Sequence, residues 1–108
     1  MDEKRLQELL EEATVDCYDE EEAFAGVLVT LDDNIKFPLQ AQLVGETVEV
    51  VGLSEPRSNL RRGIIANVRK GERIFTAGLA DLAFVDPDPI SAEWLAMYKY
   101  WIDGEDFS

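Results

Sequence analysis

The chain has 108 residues, enough for one domain spanning 1–108 with a single core, but too few for a core wrapped around a large enclosed active site. Lys and Arg total 10 against 23 Asp and Glu, so the formal net charge is −13, beyond the magnitude of about 2–8 that suits a small soluble domain. Apolar residues at 46% exclude disorder, one cysteine excludes an internal disulfide, and the absence of histidine disfavours zinc, copper and haem.

In chain order, residues 2–15 read as an amphipathic helix. Leu6, Leu9, Leu10 and Ala13 recur at helical spacing, Glu8, Glu11 and Glu12 lie opposite, and Asp2 is the candidate cap. Asp19 followed by Glu20, Glu21 and Glu22 signals a second helix start, because acids favour the positive end of a helix dipole. Ala23, Phe24, Val27, Leu28 and Leu31 continue it to Asp32-Asp33-Asn34. Val27 to Leu31 also has strand propensity, but the preceding cap favours helix.

From Phe37 the texture changes to short strands. Phe37–Leu43 is the first, followed by a turn at Gly45-Glu46, and Val48, Val50 and Val51 mark a second, running to Leu53. Ser54 to Asn59 reads as a loop, Gly63–Arg69 as a third strand, Lys70-Gly71 as a hairpin turn, Glu72–Ala77 as a fourth strand and Leu79–Val85 as a short fifth. Asp86-Pro87-Asp88-Pro89 is a rigid extended stretch. Ser91 is expected to cap a last helix with an apolar face of Trp94, Leu95, Tyr98, Trp101 and Ile102. Gly104 ends it, and Glu105 to Ser108 form an acidic tail. The expected fold class is α+β: a small antiparallel β-barrel of about five short strands, two N-terminal helices and one C-terminal helix.

The charge is uneven. Residues 1–36 carry 12 acids and 3 bases, residues 37–80 carry 4 and 6, and residues 81–108 carry 7 and 1. Acidic ends argue against nucleic acid and anionic membranes as partners. The N-terminus opens on Asp2, Glu3, Lys4 and Arg5 with no apolar stretch after it, and no run approaches the roughly 20 residues of a membrane span. A soluble, cytoplasmic, monomeric protein is expected.

Catalysis has little support. Without histidine there is no base for a nucleophile, and Cys17 lies among Asp16, Asp19 and Glu20, where negative charge disfavours a thiolate. The dispersed glycines form no phosphate cradle; Gly26 is expected to permit close helix packing and Gly71 a turn. No enzymatic activity is expected.

Three acidic groups remain: Asp16, Asp19, Glu20, Glu21 and Glu22; Asp32, Asp33 and Asn34; Asp86 and Asp88. Each has a purely structural reading, respectively helix capping with a solvated face, a helix-to-strand turn, and a proline-stiffened linker. Each also offers oxygens to calcium, which takes six to eight of them in a flexible arrangement. Two acids at a helix C-terminus oppose its dipole, and a bound cation would reverse that penalty. Counter-cations would also offset the self-repulsion of the whole chain. None of the groups is an EF-hand. Arg57, Arg61, Arg62, Arg69, Lys70 and Arg73 read as solvated hairpin edges, with docking of an acidic partner as the functional alternative.

Three stretches together resemble the family of the cyanobacterial calcium-binding protein CcbP and its bacterial relatives. They are Val15-Asp16-Cys17-Tyr18-Asp19-Glu20-Glu21-Glu22; Gly26 followed by Leu31-Asp32-Asp33-Asn34-Ile35-Lys36-Phe37-Pro38; and Ala92-Glu93-Trp94-Leu95-Ala96-Met97-Tyr98-Lys99-Tyr100-Trp101. The resemblance implies a calcium-binding protein without EF-hands that buffers intracellular calcium, in filamentous cyanobacteria during heterocyst differentiation. It maps the family's acidic motifs onto Asp16, Asp19, Glu20 and Glu21, and onto Asp32, Asp33 and Asn34. The expected ligand set is therefore Asp32 and Asp33 first, supported by Asn34, with Asp16, Asp19, Glu20 and Glu21 as a second group and Ca2+ as the ion. The rival reading is an acidic module that binds a basic protein.

Overall fold

In the computed structural model residues 2–104 are described, so the acidic tail from Glu105 lies outside them. The elements run α1 (Glu3–Ala13), α2 (Glu20–Asn34), β1 (Leu39–Leu43), β2 (Glu46–Asn59), β3 (Gly63–Lys70), β4 (Arg73–Gly78), a 3-10 turn (Leu79–Asp81), β5 (Ala83–Phe84) and α3 (Pro89–Gly104). The chain divides into two compact units, a helical one of residues 1–35 with 89–108 and a sheet unit of residues 36–88. The fold is α+β, three helices and a five-stranded antiparallel sheet.

In the helical unit each helix buries one stripe. Asp2 caps α1 by accepting from the Lys4 N–H at 3.1 Å, and Leu9 and Ala13 are buried. The ambiguous Val27–Leu31 segment is helical: Phe24, Val27, Leu28 and Leu31 are buried at the three- and four-residue spacing of one helix face. In α3 the buried stripe is Trp94, Met97, Tyr98 and Trp101. Leu95 and Ile102, expected on that face, are only half-buried and flank it. Ser91 is not the cap: α3 begins earlier, at Pro89, whose fixed φ suits a first helical turn, and Ser91 is fully buried inside the helix.

Packing between the helices is polar at one seam and aromatic at another. Arg5 Nε donates to Glu93 at 2.9 Å, and Gln7 Nε2 donates to the Tyr100 hydroxyl at 3.2 Å, tying α1 to α3. The Phe24 and Trp101 rings meet at 6.3 Å, joining α2 to α3. Gly26 lets α2 approach the end of α1: a Cβ there would lie 2.6 Å from the Ala13 carbonyl oxygen.

In the sheet unit the strand order is β4-β3-β2-β1-β5, with every neighbouring pair antiparallel. Ala41, Val48, Val50, Ile64, Ala66 and Val68 alternate along the strands on one buried face. The expected barrel is not closed. The described strands form an open sheet with β4 and β5 at its edges. Ser54 to Asn59, expected as a loop, continues β2 through an irregularity that the Ser58 hydroxyl bridges. It donates to the Ser54 carbonyl at 2.6 Å and accepts from the Ile65 N–H at 2.8 Å. The expected fifth strand is mostly the 3-10 turn, and only Ala83 and Phe84 pair with β1. Val44 and Gly45 make the first hairpin turn, both at positive φ. Gly71, at φ +61°, turns between β3 and β4 as expected.

Candidate cation-binding surface

The first acidic group sits on the connection between α1 and α2. Asp19 caps α2, accepting from the Glu22 N–H at 2.8 Å, and Glu22 reaches back to accept from the Tyr18 N–H at 2.8 Å. This reciprocal capping commits one oxygen of each carboxylate to the backbone. Cys17 Sγ donates to the Glu22 carbonyl at 3.3 Å, and Asp16 takes a left-handed φ of 61°, which Asp tolerates better than most residues. The connection is therefore pinned. Asp16 is exposed on it, and Glu20 and Glu21 are exposed in the first turn of α2 next to Asp19. Glu22 was grouped with these acids in sequence, but its side chain serves the fold.

The second group lies at the other end of α2. Asp32, Asp33 and Asn34 are the last three helical residues, not a turn beyond the helix. The Asn34 amide donates to the Thr30 carbonyl at 2.7 Å, which leaves its side-chain oxygen as the outward acceptor. The Ile35 N–H closes the ladder on the Leu31 carbonyl at 2.9 Å. The carbonyls that follow have no intrahelical donor. Asp32 and Asp33 are exposed, and no basic residue occupies this last turn, so two full charges face the negative end of the dipole. The structure thus offers two carboxylates, one amide oxygen and helix-terminal carbonyls within a few residues, an all-oxygen donor set that fits a hard dication and lacks soft ligands.

The two groups do not meet. They sit at opposite ends of a 15-residue helix, with Glu21 and Asp32 about 17 Å apart along the axis at roughly 1.5 Å per residue, so no single ion joins them. Among the described residues no three acid, cysteine or histidine side chains converge on a point that would hold a metal. Asp86 is exposed at φ 45° and Asp88 is half-buried, and both belong to the sheet unit.

The units differ sharply in charge. The helical unit's sequence carries 16 acids and 3 bases, and the sheet unit's carries 7 of each, so the first holds the whole net charge of −13. From residue 6 to residue 35 there are ten acids and no base. This includes Glu8, Glu11 and Glu12, which sequence analysis treated only as the wet face of α1. The absence of any base over thirty residues was the signal that could have drawn them in. No described helix is long and apolar enough to cross a membrane.

Comparison with known proteins agrees with this chemistry. A family model described as "Calcium binding" and named for CcbP matches residues 7–102. The crystal structure of Anabaena CcbP superposes with a TM-score of 0.83 at 29% identity, covering 94% of this chain and 91% of that one. A calcium binding protein solved in its calcium-binding form superposes with a TM-score of 0.78 at 27% identity over the same shares. No curated protein gives a significant sequence match.

Proposed function

The chain belongs to the calcium-binding CcbP family, and from that membership we propose that it is a non-enzymatic, cytoplasmic calcium buffer whose ligands are carboxylates of the helical unit. Asp32 and Asp33, with the Asn34 side-chain oxygen, form the first proposed site. Asp16, Glu20, Glu21 and the free oxygen of Asp19 form the second. The observation that carries the reading is the concentration of all thirteen net charges in the helical unit. Cations neutralise that repulsion where it is stored, and oxygen ligands select calcium over softer metals. Because no three acids are gathered in advance among the described residues, coordination recruits helix-end carbonyls and water, which suits intermediate affinity and a releasable store. By the same family resemblance, the buffer acts in calcium signalling, including heterocyst differentiation where the host forms such cells.

Isothermal titration at about 0.15 M salt tests this, with calcium and magnesium in separate runs and Asp33→Ala beside the parent chain. Asp33→Ala should weaken calcium at least tenfold, about 1.4 kcal/mol. An isotherm unchanged by the substitution removes Asp33 from the ligands. Equal, weak heats from both ions would leave only counterion screening.

One observation favours the rival reading of an acidic module for a basic partner. Val15 and Tyr18, on the connection that carries the first acids, are 67% and 87% exposed, and both are unusual there for apolar side chains. Amide shifts confined to this turn on adding a lysine-rich peptide, with none on adding calcium, would put that reading ahead.

A further inference from the structure

Beyond its last pairing with β1, at Val50, and with β4, at Ile65, the β2–β3 hairpin continues as a two-stranded arm. The arm end is ordered from within. Besides the Ser58 bridge, the Asn59 side chain accepts from the Arg62 N–H at 2.8 Å, and Gly63 turns at φ +79°. Arg57, Arg61 and Arg62 stand there, all exposed, with Glu55 the only acid in the arm. Among the described residues none of the three forms an ion pair, whereas Arg69 and Lys70, at the other end of the same hairpin, pair with Glu49 and Glu46. In a chain with 23 acids and 10 bases, three neighbouring guanidiniums without an internal carboxylate are not accounted for by edge protection, which paired cations supply equally well.

We propose that this arm end is a docking point for an Asp/Glu-rich segment of a separate protein. Guanidinium forks match carboxylates two bonds at a time. A preformed arm does not have to be ordered when the partner arrives. Nucleic acid fits less well. Three arginines would neutralise about three phosphates, a small gain beside the roughly 6–10 contacts of a DNA-binding surface.

The test uses the full chain and a fluorescent eight-glutamate peptide, followed by anisotropy at about 50 mM salt. Binding is expected at tens of micromolar. Arg61→Glu with Arg62→Glu should raise Kd at least tenfold, and Arg61→Gln with Arg62→Gln by a smaller factor, with far-UV circular dichroism unchanged in both. Lys4→Glu with Lys99→Glu shifts the net charge equally but lies in the helical unit, and it should leave Kd within about twofold. Equal losses in the two Glu pairs would reduce the effect to overall charge and overturn the proposal. So would tighter binding of a 15-base-pair DNA duplex than of the peptide. Sedimentation of the free chain as an oligomer that the arginine variants dissolve would assign the arm to the chain's own acids, and would overturn it as well.

Discussion

Gly26→Ala is the sharpest probe of how α1 and α2 are joined. On an exposed helix this change stabilises by about 1 kcal/mol, because Ala loses less backbone entropy. Here the new methyl would sit 2.6 Å from the Ala13 carbonyl oxygen and 3.1 Å from Cys17 Sγ. The first distance falls 0.8 Å short of the 3.4 Å at which ordinary contact begins, and the obstacle is backbone, which cannot rotate away. Overpacking of this kind costs about 1–3 kcal/mol, and a backbone clash belongs at the upper end. Subtracting the propensity gain leaves a net loss of about 2 kcal/mol. For a chain of this size that lowers Tm by about 8 °C. Urea and thermal unfolding followed by circular dichroism measure it. Gly52→Ala is the matched control, since nothing lies within 4 Å of a Cβ there and no positive φ is required. If Gly26→Ala were as stable as the parent chain, α2 would not rest on the end of α1 at this glycine, and the pinned connection bearing Asp16 and Asp19 would lose its support.

Four further outcomes are expected. Val44 holds a β-branched side chain at φ 51°, 95% exposed, ahead of Gly45 in a two-residue turn that favours Asn-Gly. Val44→Asn should therefore raise stability by about 1 kcal/mol in urea unfolding, leaving calcium binding unchanged. Calcium at a hundredfold excess over its dissociation constant should stabilise the parent chain by about 2.7 kcal/mol per site, read as a rise in Tm that Asp32→Asn with Asp33→Asn diminishes. The Glu46 carboxyl is held below its ordinary range by its hydrogen bond to Lys70, then by the charges of Lys70 and Arg73. Its contribution is present above the unfolded value, near 4.5, and is lost as pH falls through the lowered folded value, so Glu46→Gln should flatten that acid limb of the stability curve. Terbium, which occupies calcium sites, should luminesce on excitation of Tyr18 if the first acidic group holds the ion, and Tyr18→Leu should remove that signal.

Features set by near neighbours in the chain were legible in the sequence. Asp19 caps α2 because an acid before three glutamates satisfies a local need, and Phe24, Val27, Leu28 and Leu31 share a face because helical geometry repeats every 3.6 residues. Gly26 and Gly71 carried their purpose in their type. The acidic groups stood out in the sequence, but their surroundings did not. Asp32, Asp33 and Asn34 read either as the acidic C-terminus of the second helix or as a helix-to-strand turn, and the helix runs through all three.

Sequence alone determined where the three helices lie, where the main strands begin, and that the chain is strongly acidic. Only the tertiary structure decided the rest. An alternating apolar pattern is the same in a closed barrel and an open sheet, and the open order from β4 to β5 is set by long-range pairing that no short window contains. Ser54 to Asn59 looks like a loop until Gly63 to Ile65 lies across from it. The gathering of residues 1–35 with residues 89–108 concentrates the acids in one unit, because charge is additive in space and sequence distance has no part in Coulomb's law.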